Sequence, residues 1–206
     1  MCGRYYIADE DAAEELRQII EEVNRRYKGT DVKLSGEIFP SDVVPVIANG
    51  RNELPAAFSM VWGHKFENGP MVFNARSEDA DKKPMFADGM KQRRCLIPAS
   101  HYYEWEHLGK EKIKYSIRTE GSEMIYMAGI YRPVYENRKI VRHECFILTR
   151  NPADEIRFIH DRMPVILPRE ATADWLNPTY AARDVLRSAS VNMEYNQTAG
   201  QIQMGI

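Results

Sequence analysis

The chain opens "MCGRYY", with a cysteine directly after the initiator methionine. Methionine is removed co-translationally when the residue behind it is small, and cysteine is small enough. The processed chain would then begin at Cys2, carrying a thiol and an α-amine on adjacent carbons. The amine titrates near ~7.7 and the thiol near ~8.5 before any environmental shift, so both are usable nucleophiles at neutral pH. Such a 1,2-aminothiol has two natural reactions. The thiol can attack an amide or ester carbonyl with the amine as base, as in N-terminal-nucleophile hydrolases. Alternatively, the amine condenses with an aldehyde to a Schiff base, which the thiol closes into a thiazolidine ring. On "MC" alone, an incidental cysteine packed near a chain end is the more economical reading.

Three further stretches supply polar groups that could serve such a nucleophile. "FNARSE" sets Asn74, a carboxamide able to donate and accept, beside Arg76 and Glu78. "RRCLIPASHYYEWEH" leads from Arg93 and Arg94 to Glu104, flanked by Tyr103 and Trp105. Facing inward, that carboxyl would have a raised pKa suited to a general acid. Facing outward, it is a surface glutamate on an alternating strand, which its local sequence favours. "RFIHDRMPVIL" presents His160 and Arg162 ahead of a proline-initiated strand, and a lone histidine is more often structural than catalytic. His101, Glu104 and His107 fall at three-residue steps, but the spacing fits no strong zinc pattern and uses mixed faces of a strand. A metal set is therefore rejected.

Positioning these groups falls to one long helix and a series of short strands. In "DEDAAEELRQIIEEVNRRYKG", Ala12, Leu16, Ile19, Ile20, Val23 and Tyr27 recur at three- and four-residue steps. Acidic residues crowd its first turn, basic residues its last, and Gly29 follows as a C-cap. Downstream, "VVPVIAN" ends at an Asn49-Gly50 turn signal before "AAFSMVWG". Further strands are expected in "RCLIPA", "YYEWE", "KIKYSIR", "MIYMAGIY", "ECFILT", "PVILP" and "SVNMEYN", with shorter helices in "KPMFADGMKQ", "PADEIRFIH" and "REATADWL". The pattern predicts one α+β domain over residues 1–206, with a curved, mostly antiparallel, barrel-like sheet and peripheral helices. The tail from about residue 196 is expected to be weakly ordered.

Composition bounds the rest. A chain of 206 residues with 44% hydrophobic content can bury a sizeable core. With 28 Lys and Arg against 30 Asp and Glu, the net charge of −2 decides nothing about nucleic acid, so any anion site must be a local patch. Three cysteines without C-x-x-C spacing suggest neither a disulfide framework nor a zinc ribbon, and point to a reducing compartment. There is no apolar run near 18 residues and no signal-peptide layout, so a cytoplasmic protein without a membrane partner is expected.

Taken together, "MCGRY", "FNARSE", "RRCLIPA…YYEW" and "IHDRMPVIL", in this order, resemble the SOS response-associated peptidase (SRAP) family. The resemblance runs from Cys2 to about position 192. It implies binding of single-stranded DNA, or single-to-double-strand junctions, that contain an abasic site. Cys2 would trap the C1′ aldehyde of the ring-opened sugar as a thiazolidine crosslink, which shields the site. By the same resemblance Asn74 would position the N-terminal residue and the opened sugar. Glu104 would shuttle protons in ring opening and imine formation, and His160 would assist in imine formation and in reversal. Arg4, Arg76 and Arg162 would hold flanking phosphates, with Thr149 in support. No cofactor or metal is implied, and a monomer is expected. The family name also records a peptidase activity, autoproteolytic release of whatever precedes the cysteine, here Met1. A thiol hydrolase acting in trans and a non-covalent DNA-binding module are the alternatives. Two departures stand out. The segment after "VWG" is short and lacks a proline and second tryptophan close behind it, which the family commonly uses at strand junctions. His101 occupies a position that is usually glycine.

Overall fold

The computed structural model describes residues 2–8 and 11–198. Its strands are β1 (Tyr5–Ile7), β2 (Gly36–Ile38), β3 (Val43–Asn49), β4 (Pro55–Trp62), β5 (His64–Lys65), β6 (Met71–Val72), β7 (Asn74–Arg76) and β8 (Arg94–Ala99). They continue with β9 (His101–Leu108), β10 (Glu111–Thr119), β11 (Ile125–Glu136), β12 (Lys139–Arg150), β13 (Met163–Pro164), β14 (Ile166–Leu167) and β15 (Met193–Gln197). The α-helices are α1 (Glu14–Arg26), α2 (Ala87–Gln92), α3 (Thr172–Leu176) and α4 (Ala182–Leu186).

Two sheets carry the architecture. One runs β15-β10-β9-β1-β2 with every pairing antiparallel. In the other, β12, β4, β3, β8 and β11 follow in order, and the β11–β12 pairing closes them into a five-stranded barrel. The sheet is mostly antiparallel, as the short strands and tight connections require. The exceptions are β12 against β4 and β12 against β7, both parallel.

Burial explains why the central strands read as continuous apolar runs. All six residues of β8 are buried. Cys95, Ile97 and Ala99 belong to one core cluster with Cys2, Tyr5 and Trp62, whereas Leu96 packs with Phe86, Phe146 and Trp175 in a second. A strand covered on both faces loses the alternation that marks a half-exposed one. Helix α1 closes one flank, with Leu16 and Val23 fully buried and its acidic and basic ends as the dipole favours.

The elements differ from expectation where local signals are shortest. α1 begins at Glu14 and ends at Arg26, with Tyr27 rather than Gly29 at its C-cap. The β3–β4 hairpin closes through a longer loop, Gly50 N–H donating to the Leu54 carbonyl at 2.9 Å. "PADEIRFIH" forms only a 3-10 turn, Asp154–Ile156. "PVILP" splits into the two short strands β13 and β14, because each pairs with a different neighbour, β12 and β11. Asn196 and Gln197 of the expected weak tail sit in β15, and Thr198 N–H donates to the Lys114 carbonyl at 2.9 Å. The remainder of that tail lies outside the described residues.

Candidate active site

The first residues of the chain enter between the two sheets. Tyr5 and Tyr6 pair with Tyr102 and His101, and Tyr103 N–H donates to the Arg4 carbonyl at 2.8 Å, extending the pairing one step towards the N-terminus. Cys2 is fully buried, its thiol 3.8 Å from the Arg4 carbonyl. From the barrel side, Asn74 Nδ2 donates to the Cys2 carbonyl at 2.8 Å. Asn74 opens β7, a three-residue strand laid parallel on Ile147–Thr149 of β12. A side chain from one sheet thus clasps the backbone that leads into the other. The second amide atom, Asn74 Oδ1, is buried without a hydrogen-bond partner, and so remains able to accept from a group that enters the site.

Sequence reasoning gave no role to the residues that place Asn74. Trp62 is fully buried, and its Nε1 donates to the Phe73 carbonyl at 3.0 Å, fixing the residue just before Asn74. Its ring lies 5.1 Å from Tyr5 and 5.7 Å from Phe73, so it braces β1 and β7 at once. Gly63 follows with φ +93°, and a Cβ there would meet Phe73 Cβ at 2.8 Å and the Val72 carbonyl at 2.9 Å. Only glycine allows both that conformation and that approach. The "WG" pair is visible in the chain, but the contacts it serves link residues ten and eleven apart across a ribbon.

Glu104 faces inward. It sits on β9 opposite Tyr115 and is 4% exposed. Burial pushes its carboxyl up to about 7, and the Asp161 carboxylate adds to the rise. Near neutral pH it therefore exists in both protonation states, which suits a group that must give and take a proton. Burial also pushes the Cys2 thiol far above its ordinary range, and the nearby Glu104 carboxylate pushes it further. His101, on the same strand, belongs to the alternate face. Its ring stacks on Tyr6 at 5.0 Å and meets Tyr103 edge-on at 4.8 Å, and burial pulls its pKa down to about 4. His101 therefore packs against Tyr6 and Tyr103, on the face of the sheet away from Glu104.

His160 comes from the loop before β13. Its Nδ1 lies 3.0 Å from the Arg162 N–H and 2.8 Å from Asp161 Oδ1. A neutral Nδ1 accepts from Arg162, whereas a protonated one serves Asp161, so proton uptake exchanges one partner for the other. Burial holds the ring below its ordinary pKa, favouring the neutral, proton-accepting form.

The four expected phosphate ligands fall into two groups. Arg76 is exposed at the end of β7. Arg4 is partly exposed, 3.3 Å from Glu37, with its guanidinium over the rings of Phe39 and Trp105. Both reach solvent. Thr149 is fully buried, its hydroxyl donating to the Ala75 carbonyl at 3.5 Å. Arg162 is 9% exposed and already engaged: both Glu78 oxygens at 2.8 Å, Asn151 Oδ1 at 2.9 Å and the Thr149 carbonyl at 2.7 Å. In this geometry Thr149 and Arg162 tie "NARSE" to β12 from behind. Glu78 is the partner that the sequence left unassigned. A cleft of about 740 Å³, lined by Glu15, Tyr126 and Arg169, includes none of these residues.

Comparisons with known proteins give the family and the fold. The family model described as SOS response associated peptidase (SRAP) matches residues 1–203. Abasic site processing protein YoaM of Bacillus subtilis (strain 168) is 31% identical over 196 residues, covering 91% of this chain and 84% of the relative. Abasic site processing protein YoqW of the same organism is 33% identical over 196 residues, covering 91% and 85%. A crystal structure of a protein from Bacteroides thetaiotaomicron superposes with a TM-score of 0.76 at 21% identity, over 95% of this chain and 91% of that one, and so has the same fold. With that model spanning nearly the whole chain, from Cys2 through the "NAR", "YEW" and "H-x-RMP" segments, the chain belongs to the SOS response associated peptidase family.

Proposed function

We propose that the chain processes abasic sites in single-stranded DNA by covalent capture, with Cys2 as its N-terminal residue after Met1 is removed. The observation that carries this reading is the clasp of Asn74 on the Cys2 carbonyl at 2.8 Å, beside a glutamate whose carboxyl titrates near 7. A buried thiol with a raised pKa is a poor first nucleophile, so the first bond falls to the α-amine. The amine adds to the C1′ aldehyde of the opened deoxyribose, giving a carbinolamine. Glu104 in its acid form protonates the departing hydroxyl, and one water leaves as the imine forms. The thiol then adds across the C=N bond, its proton passing to the nitrogen, and the ring closes. Overall, aldehyde and aminothiol give thiazolidine and one water.

Asn74 would fix the rotation of the Cys2 backbone, and its free Oδ1 would accept from the new amine or a sugar hydroxyl. His160 would take up and return protons during imine formation and in reversal. Arg76 and Arg4 would hold the flanking phosphates, with Thr149 and Arg162 setting the strand that carries Arg76. The names of the relatives support DNA processing at abasic sites as the activity. Release of Met1, by the chain itself or by an aminopeptidase, is part of the same proposal, as are a monomeric state and action without a metal.

The test is incubation with single-stranded DNA bearing one abasic site, followed by denaturing electrophoresis and intact mass. A heat-stable adduct heavier than protein plus DNA less one water per crosslink is not expected; the mass should match that loss. Cys2→Ala should give no stable adduct. Cys2→Ser should give one only when a hydride reductant traps the imine, because oxygen closes a weaker ring than sulfur. A native chain lacking Met1 that leaves the DNA unmodified would refute the proposal.

A further inference from the structure

Beside Glu104 the inner face of the five-stranded sheet ends in an aromatic rim. Tyr115, directly opposite Glu104 in the β9–β10 pairing, meets Phe158 at 5.8 Å and Tyr195 at 5.8 Å. Phe158 and Tyr195 meet each other at 5.3 Å, and all three contacts are edge-to-face. Tyr115 is 8% exposed and anchored, its hydroxyl donating to Glu106 Oε2 at 2.9 Å. The other two are open to solvent, Phe158 at 48% and Tyr195 at 41%. They come from distant parts of the chain, the loop before β13 and strand β15, and converge on Tyr115, the cross-strand partner of Glu104.

Edge-to-face contacts hold aromatic rings in fixed orientations. Exposed apolar surface of this kind marks an interaction site when it is contiguous. Here it adjoins the candidate chemistry through Tyr115 in space and through Phe158 along the chain. Tyr115 is the cross-strand neighbour of Glu104, and Phe158 lies two residues before His160. We propose that Phe158 and Tyr195 form a stacking platform for the unpaired nucleobase next to the abasic nucleotide. This rests on the DNA reading above and extends it from the lesion to its neighbour. An abasic nucleotide has no base to hold, so a strand entering the site offers the adjoining base as its nearest flat apolar group. Stacking on an aromatic ring accepts any base but favours the larger purines.

The experiment separates binding from chemistry by using a tetrahydrofuran abasic analogue, which has no aldehyde. Fluorescence anisotropy with the native chain compares strands whose analogue is flanked by adenines, by thymines, or by further abasic spacers. Affinity should fall from adenine to thymine to spacer, with about a 5- to 150-fold loss at the spacer. Phe158→Ala and Tyr195→Ala should each weaken binding to the adenine-flanked strand and lose their deficit on the spacer strand, while Phe158→Trp restores it. The slope of affinity against salt should stay unchanged in these variants, because no phosphate contact is removed. Equal affinity of the native chain for adenine- and spacer-flanked strands would overturn the proposal and requires no variant. If the native chain crosslinks a true abasic site yet shows no such preference, the platform fails while the covalent reading stands. If it binds and crosslinks no abasic strand at all, the covalent reading fails with it.

Discussion

Replacing Glu104 by glutamine should stabilise the fold at alkaline pH while removing its chemistry. The carboxyl is 4% exposed, and burial raises its pKa from 4.5 to about 7. Between those two values the folded chain holds a proton that the unfolded chain has released. The stability linked to this group is therefore complete below pH 4.5 and lost as the pH rises through about 7. At 1.36 kcal/mol per pKa unit the full effect is about 3 kcal/mol, of which about 2 kcal/mol develops between pH 5.5 and 8.5. Glutamine has the same shape and no charge to lose, so the pH dependence from this position disappears. For a chain of this size, about 2 kcal/mol corresponds to roughly 4–8 °C in melting temperature. The assay is thermal unfolding of both proteins at pH 5.5 and 8.5, scored as the change in their difference, which cancels the titrating groups that do not interact with Glu104. The variant should gain those degrees relative to the native chain on going to pH 8.5, and should crosslink abasic DNA far more slowly at both. A difference in melting temperature that is the same at the two pH values would refute the inference that Glu104 is held protonated by burial.

Three other outcomes follow from the same geometry. Gly63→Ala forces a Cβ to within 2.8 Å of Phe73 at a φ of +93°, and should cost about 1–3 kcal/mol. Because the strain falls beside Asn74, adduct formation should slow by more than the lost folded fraction accounts for, as measured by single-turnover crosslinking on the refolded variant. Arg162→Ala should let the Glu78 carboxyl, now held below its ordinary range chiefly by hydrogen bonds from that guanidinium, titrate at its usual value in an NMR pH series. The native pair contributes stability above the ordinary glutamate pKa and loses it on acidification, so the variant's deficit in melting temperature should shrink as the pH falls. The crosslinking rate should rise with pH as the α-amine, near ~7.7 when unperturbed, loses its proton. It should turn down as Glu104, titrating near 7, ceases to act as an acid. A rate flat from about pH 5 to 8 would count against both assignments, and Glu104→Gln should abolish the alkaline limb.

The sequence by itself determined the chemistry on offer and the class of fold. A cysteine directly after Met1, a carboxamide, a glutamate between aromatics and a histidine before "RMP" are local features, legible because residue type alone sets what each group can do. The strands of the barrel were legible for a related reason: "RCLIPA" and "CFIL" are apolar throughout because both faces of β8 and of the inner half of β12 are covered. Tertiary structure decided which way each group points and what it meets. Whether Glu104 was a surface residue or a buried acid could not be read from an alternating strand, since the inward face is defined only once Tyr102 has paired with Tyr5. β7 is too short to signal itself and exists because β12 offers it an edge. Arg162 looked like a free cation, yet Glu78, 84 residues away, occupies it. The rim formed by Tyr115, Phe158 and Tyr195 has no local signature at all, because three residues from separate elements become one surface only when the sheet and the loop are in place. Residue chemistry is carried along the chain, while burial and mutual distance arise from contacts far apart in it. Those contacts are what bury Cys2 and set Asn74 on its carbonyl.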